Sequence, residues 1–207
     1  QLGAKHGASL FATLLAGFSA TLQRLTQHSD IVVGVPMAGQ SLVEGGNLVG
    51  HCVNFLPLRV RVDATQPFTS LLGAVKNEVL DAYDHQSFTY GTLVSRLGIK
   101  RDPGRLPLTE LQFNVEQIGA NATFAGLTTK VEPNAKAAVN SDLFINIVEA
   151  RDGLAIDCDY NTDLFDEETI SGWVDGFASL LASAAADPTR AIGALPGPAS
   201  GQVKTAA

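Results

Sequence analysis

Between Leu143 and Tyr160 the apolar residues alternate: Leu143, Ile145 and Ile147 precede an Asp152-Gly153 pair, and Leu154, Ile156, Cys158 and Tyr160 follow it. Period-two alternation broken by a dipeptide that tolerates positive φ specifies an antiparallel β-hairpin. Asp157 and Asp159 then fall on its solvated side, so the hairpin has one face to bury and needs a second layer. The next residues supply one. Asp166 can cap a helix whose first turn carries Glu167 and Glu168, where carboxylates suit the helix dipole. Its apolar face is Ile170, Trp173, Val174, Phe177, Leu180 and Leu181, and Asp187-Pro188 ends it.

The same two periods alternate upstream. Leu10, Leu14, Leu15, Phe18, Leu22 and Leu25 predict a helix ending near His28. Ile31 to Val35 is an apolar run closed by Pro36, which suits a strand buried on both faces. A loop rich in Gly39, Gly45, Gly46 and Gly50 separates it from a second strand at Val53 to Val62. There Leu58, Val60 and Val62 oppose Arg59 and Arg61, and Pro57 marks an edge or a bulge. Pro67 fits the first turn of a helix continued by Phe68, Leu71, Leu72, Val75, Val79 and Tyr83 to about Asp84. A shorter helix covers Tyr90 to Leu97 with Gly98 as its stop. Thr109 to Gln117 alternates as a half-buried strand. Ile118 to Asn140 has little periodicity beyond a candidate strand at Leu127 to Val131, and connections this long are functional or mobile. From Pro196 the residues are small and polar, as in a linker or tail. This order predicts an α/β fold, a two-layer sandwich in which a mixed β-sheet is covered by helices.

Composition narrows the function classes. At 207 residues and 45% hydrophobic the chain can bury a core as one large domain or two small ones. Its formal charge of −7 argues against a surface that neutralises nucleic acid or anionic lipid. The longest apolar stretch, Leu10 to Leu22, is interrupted by Thr13, Gly17, Ser19 and Thr21 and falls short of the roughly 20 residues of a membrane span. No basic segment with a cleavage site marks a signal peptide. Cys52 and Cys158 form no CxxC pair, so a reducing, cytoplasmic setting is expected. The chain begins at Gln1 and its only methionine is Met37, which reads as a piece of something longer.

The residues offer no self-contained catalytic centre. Gly34 to Ser41 comes within one residue of the phosphate-loop pattern, but Gln40 stands where its lysine must be, and a turn closing a strand is the simpler account. His6, His28, His51 and His85 lack the i, i+4 spacing of a helical metal site, and His51 and Cys52, as strand neighbours, would point to opposite faces. No metal site is expected. No G-x-S-x-G elbow is present.

Five segments, in order, carry a resemblance. "DIVVGVPMAGQ" at 30–40, "NLVGHCVNFLPLRV" at 47–60, "HQSFTYGTLV" at 85–94, "RDPGRLPLTELQFNVEQ" at 101–117 and "DLFINIVEARDGLAIDCDYNTDLFD" at 142–166 resemble the later motifs of nonribosomal peptide synthetase condensation domains. The resemblance implies a lobe with the chloramphenicol acetyltransferase-like fold, one of two that form a V around a tunnel. In that family two carrier proteins deliver phosphopantetheine-bound thioesters to the tunnel's ends, and an amide bond forms between them. The catalytic H-H-x-x-x-D-G motif occurs nowhere here, so the chain resembles the C-terminal lobe alone, without a catalytic residue of its own and inactive by itself.

Residue by residue, the resemblance makes Gln40, Asn54 and Asn114 tunnel or interlobe candidates. Gln40 stands where the family usually has an arginine pairing with the catalytic motif's aspartate. A glutamine there keeps a hydrogen bond but no charge. Asn54 either faces the tunnel or is a strand asparagine satisfied by backbone. Arg59, Arg101 and Asp102 fall in motifs that hold structure. Residues 1–196 would form the lobe, 118–140 a latch onto the missing N-terminal lobe, and 197–207 the linker towards an adenylation domain. No cofactor would bind directly, and the partners would be that N-terminal lobe, donor and acceptor peptidyl carrier proteins and the adenylation domain. A related epimerization, cyclization or ester-forming lobe, or a non-catalytic module that docks carrier proteins, remains an alternative.

Overall fold

The computed structural model describes residues 1–39, 50–100, 102, 104–117, 124–127, 136–150 and 153–198. A single turn, α1 (Leu2–Lys5), leads into α2 (Leu10–Thr26), whose N-terminus is capped by Ser9 Oγ accepting the Ala12 N–H at 3.1 Å. Then follow β1 (Asp30–Ala38), β2 (Val53–Arg61), α3 (Phe68–Asp84) and α4 (Tyr90–Leu97). The second half comprises β3 (Leu111–Gln117), the hairpin β4 (Leu143–Ala150) and β5 (Gly153–Tyr160), and α5 (Glu167–Ala186), with a 3-10 turn at Ile192–Ala194. The first and last of these short elements carry too little periodicity to be read from sequence.

The strands form one sheet in the order β2-β1-β3-β4-β5. The pairs β1–β2 and β4–β5 are antiparallel and β1–β3 and β3–β4 parallel, so the sheet is mixed, as expected. Helices α2, α3 and α5 cover one face. Phe18 of α2 joins all three parts of the core: its ring stacks on Phe113 of β3 at 5.3 Å and meets Phe177 of α5 edge-on at 6.0 Å. Gly17 makes the helix pairing possible, since a Cβ there would lie 2.3 Å from Leu181 Cδ2.

Several boundaries differ from the sequence expectation, each for a local reason. Pro36 does not close the first strand, which runs on to Ala38. The amide nitrogens of Gly39 and Val62 bond the carbonyls of Cys52 and Ser29, so odd-numbered residues of β1 bond to even-numbered residues of β2. Pro36 and Pro57 therefore turn their nitrogens away from this ladder, Pro57 towards the free edge, and neither removes a bond from it. Gly34 to Ala38 being strand, these residues cannot cradle a phosphate, nor are they the expected turn. Pro67 is the N-cap of α3 rather than its first helical residue. His51 and Cys52 precede β2 instead of lying within it. Leu154, placed inward by alternation, is 47% exposed because it sits at the hairpin's far end, outside the core.

Two expectations fall wholly or partly outside the described residues. Asp152 of the hairpin turn is one, although Gly153 has a positive φ of 146°. The candidate strand at Leu127 to Val131 is the other: Phe124 to Leu127 form a turn around Gly126 (φ 78°), with Phe124 and Leu127 exposed, and 128–131 are not described.

Candidate functional site

Opposite the helices, the central strands present polar side chains. In β3 and β4 the odd-numbered residues Phe113, Ile145 and Ile147 enter the core, so Asn114, Glu116 and Asn146 face the other way. Asn114 pairs in register with Asn146, and Asn146 with Asp157 of β5. The side chains are joined as well: Asn114 Nδ2 donates to Asn146 Oδ1 at 2.9 Å, and Asn146 Nδ2 donates to Glu116 Oε2 at 3.2 Å. Asparagine is disfavoured inside strands, so two of them facing each other mark this row as selected for something other than packing.

The neighbouring row is Gln112, Phe144 and Asp159. It is closed from above. Lys136 forms an ion pair with Asp159, and its ammonium lies 5.2 Å from the centre of the Phe144 ring. Gln112 is buried and donates to the Thr109 carbonyl, while Thr109 lies against Gly34, where a Cβ would come within 2.7 Å of Thr109 Cβ.

Towards β2 the segment 104–109 is clamped. Tyr90 Oη donates to the Pro107 carbonyl at 2.7 Å, Leu108 takes a left-handed φ of 66°, and Arg105 pairs with Asp142 at 3.0 Å. Burial pushes the Asp142 carboxyl above its ordinary pKa, with Arg105 pulling it the other way. A surface cavity of about 430 Å³ opens here, lined by Tyr90, Val94, Arg105, Leu106 and Pro107.

The sequence-derived candidates are distributed unevenly around this face. Asn114 lies in its centre. Asn54 is fully engaged by backbone: Nδ2 donates to the carbonyls of Gln86 (3.0 Å) and Phe88 (3.2 Å), and Oδ1 accepts the Tyr90 N–H at 3.1 Å. It fixes the turn from α3 into α4. Arg59 forms a two-pronged ion pair with Asp30, Nε to Oδ1 at 2.8 Å and Nη2 to Oδ2 at 2.5 Å, which holds the Asp30 carboxyl below its ordinary range. Asp102 accepts the Gly104 N–H at 3.0 Å in a local turn. Gln40 and Arg101 lie outside the described residues.

Sequence reasoning passed over Asn146, Glu116, Lys136 and Tyr90. Alternation placed Asn146 and Glu116 on a solvated face, but only cross-strand register shows that they meet Asn114.

Among the described residues no group of three His, Cys, Asp or Glu side chains could hold a metal ion, and no helix is long and apolar enough to cross a membrane. Both cysteines are free thiols. Burial, with the nearby Asp159 carboxylate, raises the Cys158 thiol to about 12, so it is no nucleophile at neutral pH. A small apolar void of about 20 Å³ on the helix side is lined by Phe18, Ile145, Trp173 and Phe177.

The model of the condensation-domain family matches residues 1–200. The chain belongs to that family. Among curated relatives, surfactin synthase subunit 1 of Bacillus subtilis (strain 168) is 34% identical over 193 residues, 93% of this chain. The chain spans only 5% of that protein's length. The condensation-domain lobe also has solved structural counterparts. The X-domain from teicoplanin biosynthesis superposes with a TM-score of 0.82 at 24% identity, over 93% of this chain and 45% of that one. The first condensation domain of the calcium-dependent antibiotic synthetase, solved with a substrate analogue, gives 0.76 at 24% identity, over 98% of this chain and 43% of that one. The α/β, chloramphenicol acetyltransferase-like lobe expected from the sequence is thus the fold observed, and it corresponds to less than half of each of these structures.

Proposed function

We propose that the chain is the C-terminal half of an amide-forming condensation domain, lining a tunnel shared with an N-terminal lobe and contributing to the surfaces on which donor and acceptor carrier proteins dock. One observation carries this reading: the family match runs the length of the lobe, while the sheet keeps a polar face that its own three long helices leave uncovered. A face built from Asn114, Asn146, Glu116 and Asp157 suits a wet, substrate-bearing surface and not a buried core. It holds hydrogen-bonding groups but no histidine. In this account the proton-handling histidine comes from the N-terminal lobe, and the chain alone is inactive.

Residues 1–196 form the lobe, 118–140 latch onto its counterpart, and 197–207 lead towards an adenylation domain. Gln40 and Asn114 line the tunnel or the lobe junction. Asn54 holds the α4 side of it in place through backbone, and Arg59, Arg101 and Asp102 keep structure. Substrates arrive on the phosphopantetheine of the carrier proteins, in the cytoplasm.

The test offers the domain comprising this chain and its preceding lobe two loaded carrier proteins and weighs the acceptor carrier intact. A gain equal to the donor acyl group, stable to hydroxylamine on the amine side, is expected. Epimerised or ester-linked product alone would reassign the lobe to a related reaction. Carrier binding without any transfer would make it a docking module.

A further inference from the structure

We propose that the Asn114–Asn146 row binds the two amides of a carrier protein's pantetheine arm, acting as a hydrogen-bonding rail across the open face of the sheet; this rests on the condensation reading above. Each asparagine amide has two N–H donors and one acceptor oxygen. The bonds within the row use one N–H of Asn114 and one of Asn146, directed to Asn146 Oδ1 and Glu116 Oε2. One N–H of each residue remains for a ligand, and the Glu116 carboxylate fixes which way the Asn146 amide points. Both asparagines are half-buried and Glu116 is exposed, so the row can be reached from solvent yet is partly desolvated. Hydrogen bonds there gain over those made in open water.

Spacing decides which amide chain fits. The two residues stand opposite each other on neighbouring parallel strands, about 4.8 Å apart. Successive amides of an extended α-peptide repeat at roughly 3.5 Å. The two amides of pantetheine are separated by a β-alanine unit, one methylene longer, which by the same bond lengths brings the repeat to about 4.8 Å. An arm crossing the strands can thus present one amide to each asparagine without strain, whereas a peptidyl group cannot keep step. The adjoining row, closed by Lys136 over Phe144 and Asp159, leaves the asparagine row as the accessible course.

The experiment compares the complete domain with its Asn114→Leu and Asn146→Leu variants, using donor carriers that bear either the native pantetheine arm or an arm with one amide replaced by an ester. Binding of the loaded carrier is measured by calorimetry and transfer by intact mass. With the native arm each variant should weaken binding and kcat/KM roughly 3- to 10-fold, the range of one neutral hydrogen bond. The ester arm should cost wild type about as much, and variant and ester losses should not multiply. Losses that multiply independently, or no loss on substitution, overturn the proposal. Non-additivity with an ester placed in the acyl group instead overturns the pantetheine assignment. The double variant Asn114→Leu/Asn146→Leu, which leaves no orphaned partner between the two strands, guards against misfolding, because its thermal midpoint should stay near wild type while binding is lost. If binding responds as described but wild type transfers nothing, the failure belongs to the amide-forming reading and not to the rail.

Discussion

Asn54 of β2 grips the first turn of α4 through Tyr90, its Oδ1 accepting the Tyr90 N–H at 3.1 Å while its Nδ2 donates to Gln86 and Phe88 carbonyls. One side chain thereby satisfies three backbone groups that neither helix nor sheet can serve. Tyr90 passes the constraint on, since its hydroxyl holds the Pro107 carbonyl beside the left-handed Leu108. Position and angle of α4 against the sheet follow from that chain of contacts.

Asn54→Ala should therefore destabilise the lobe by about 1–3 kcal/mol, the sum of a few partly exposed hydrogen bonds and their orphaned partners. Asn54→Asp should not rescue it, because a carboxylate would face two carbonyl oxygens. Urea unfolding followed by tryptophan fluorescence checks both.

Gly34 answers a different demand. A Cβ there would stand 2.7 Å from Thr109 Cβ and 3.2 Å from Thr109 Cα, so the neighbour cannot yield by turning a side chain. Gly34→Ala is expected to cost about 1–3 kcal/mol by overpacking, and more if the segment 104–109 lifts off the sheet. Thermal unfolding of the variant gives the number, and an unchanged midpoint would show that Thr109 does not lie on β1.

Cys158 predicts a pH effect whose sign is set by its raised pKa. The native thiol ionises near 12 against an ordinary value of 9.0, so above pH 9 the unfolded chain loses its proton first. Its contribution to stability is complete below about pH 9 and disappears as pH rises towards 12. Wild type should lose stability across this window more steeply than Cys158→Ala, and in native protein Cys158 should resist alkylation at pH 8 until denaturant is added.

The fold was legible wherever one face of an element is apolar. The hairpin, α5 and the edge strand with Pro57 follow from period and punctuation, because burial of one face imposes a repeat that a single sequence displays. Pro36 misled, since whether a proline ends a strand depends on which neighbour its nitrogen faces, a matter of register. The polar row was less legible still. Asn114 and Asn146 lie 32 residues apart, and the bond between them exists only because β3 and β4 pair in parallel, a long-range choice that leaves no local mark. Asn54 was legible as a motif residue, but its employment by the backbone of the α3–α4 turn depends on where that turn lands.

The measurement that tests the central claim most directly is amide formation by this chain with and without its other half. Two loaded carrier proteins are incubated with the 207-residue chain alone, and separately with the chain joined to the lobe that precedes it, and the acceptor carrier is weighed intact. The account predicts unchanged acceptor mass with the chain alone and the condensed product with the joined lobes. Condensed product from the chain alone would contradict it, for the catalytic histidine would then have to lie within these residues.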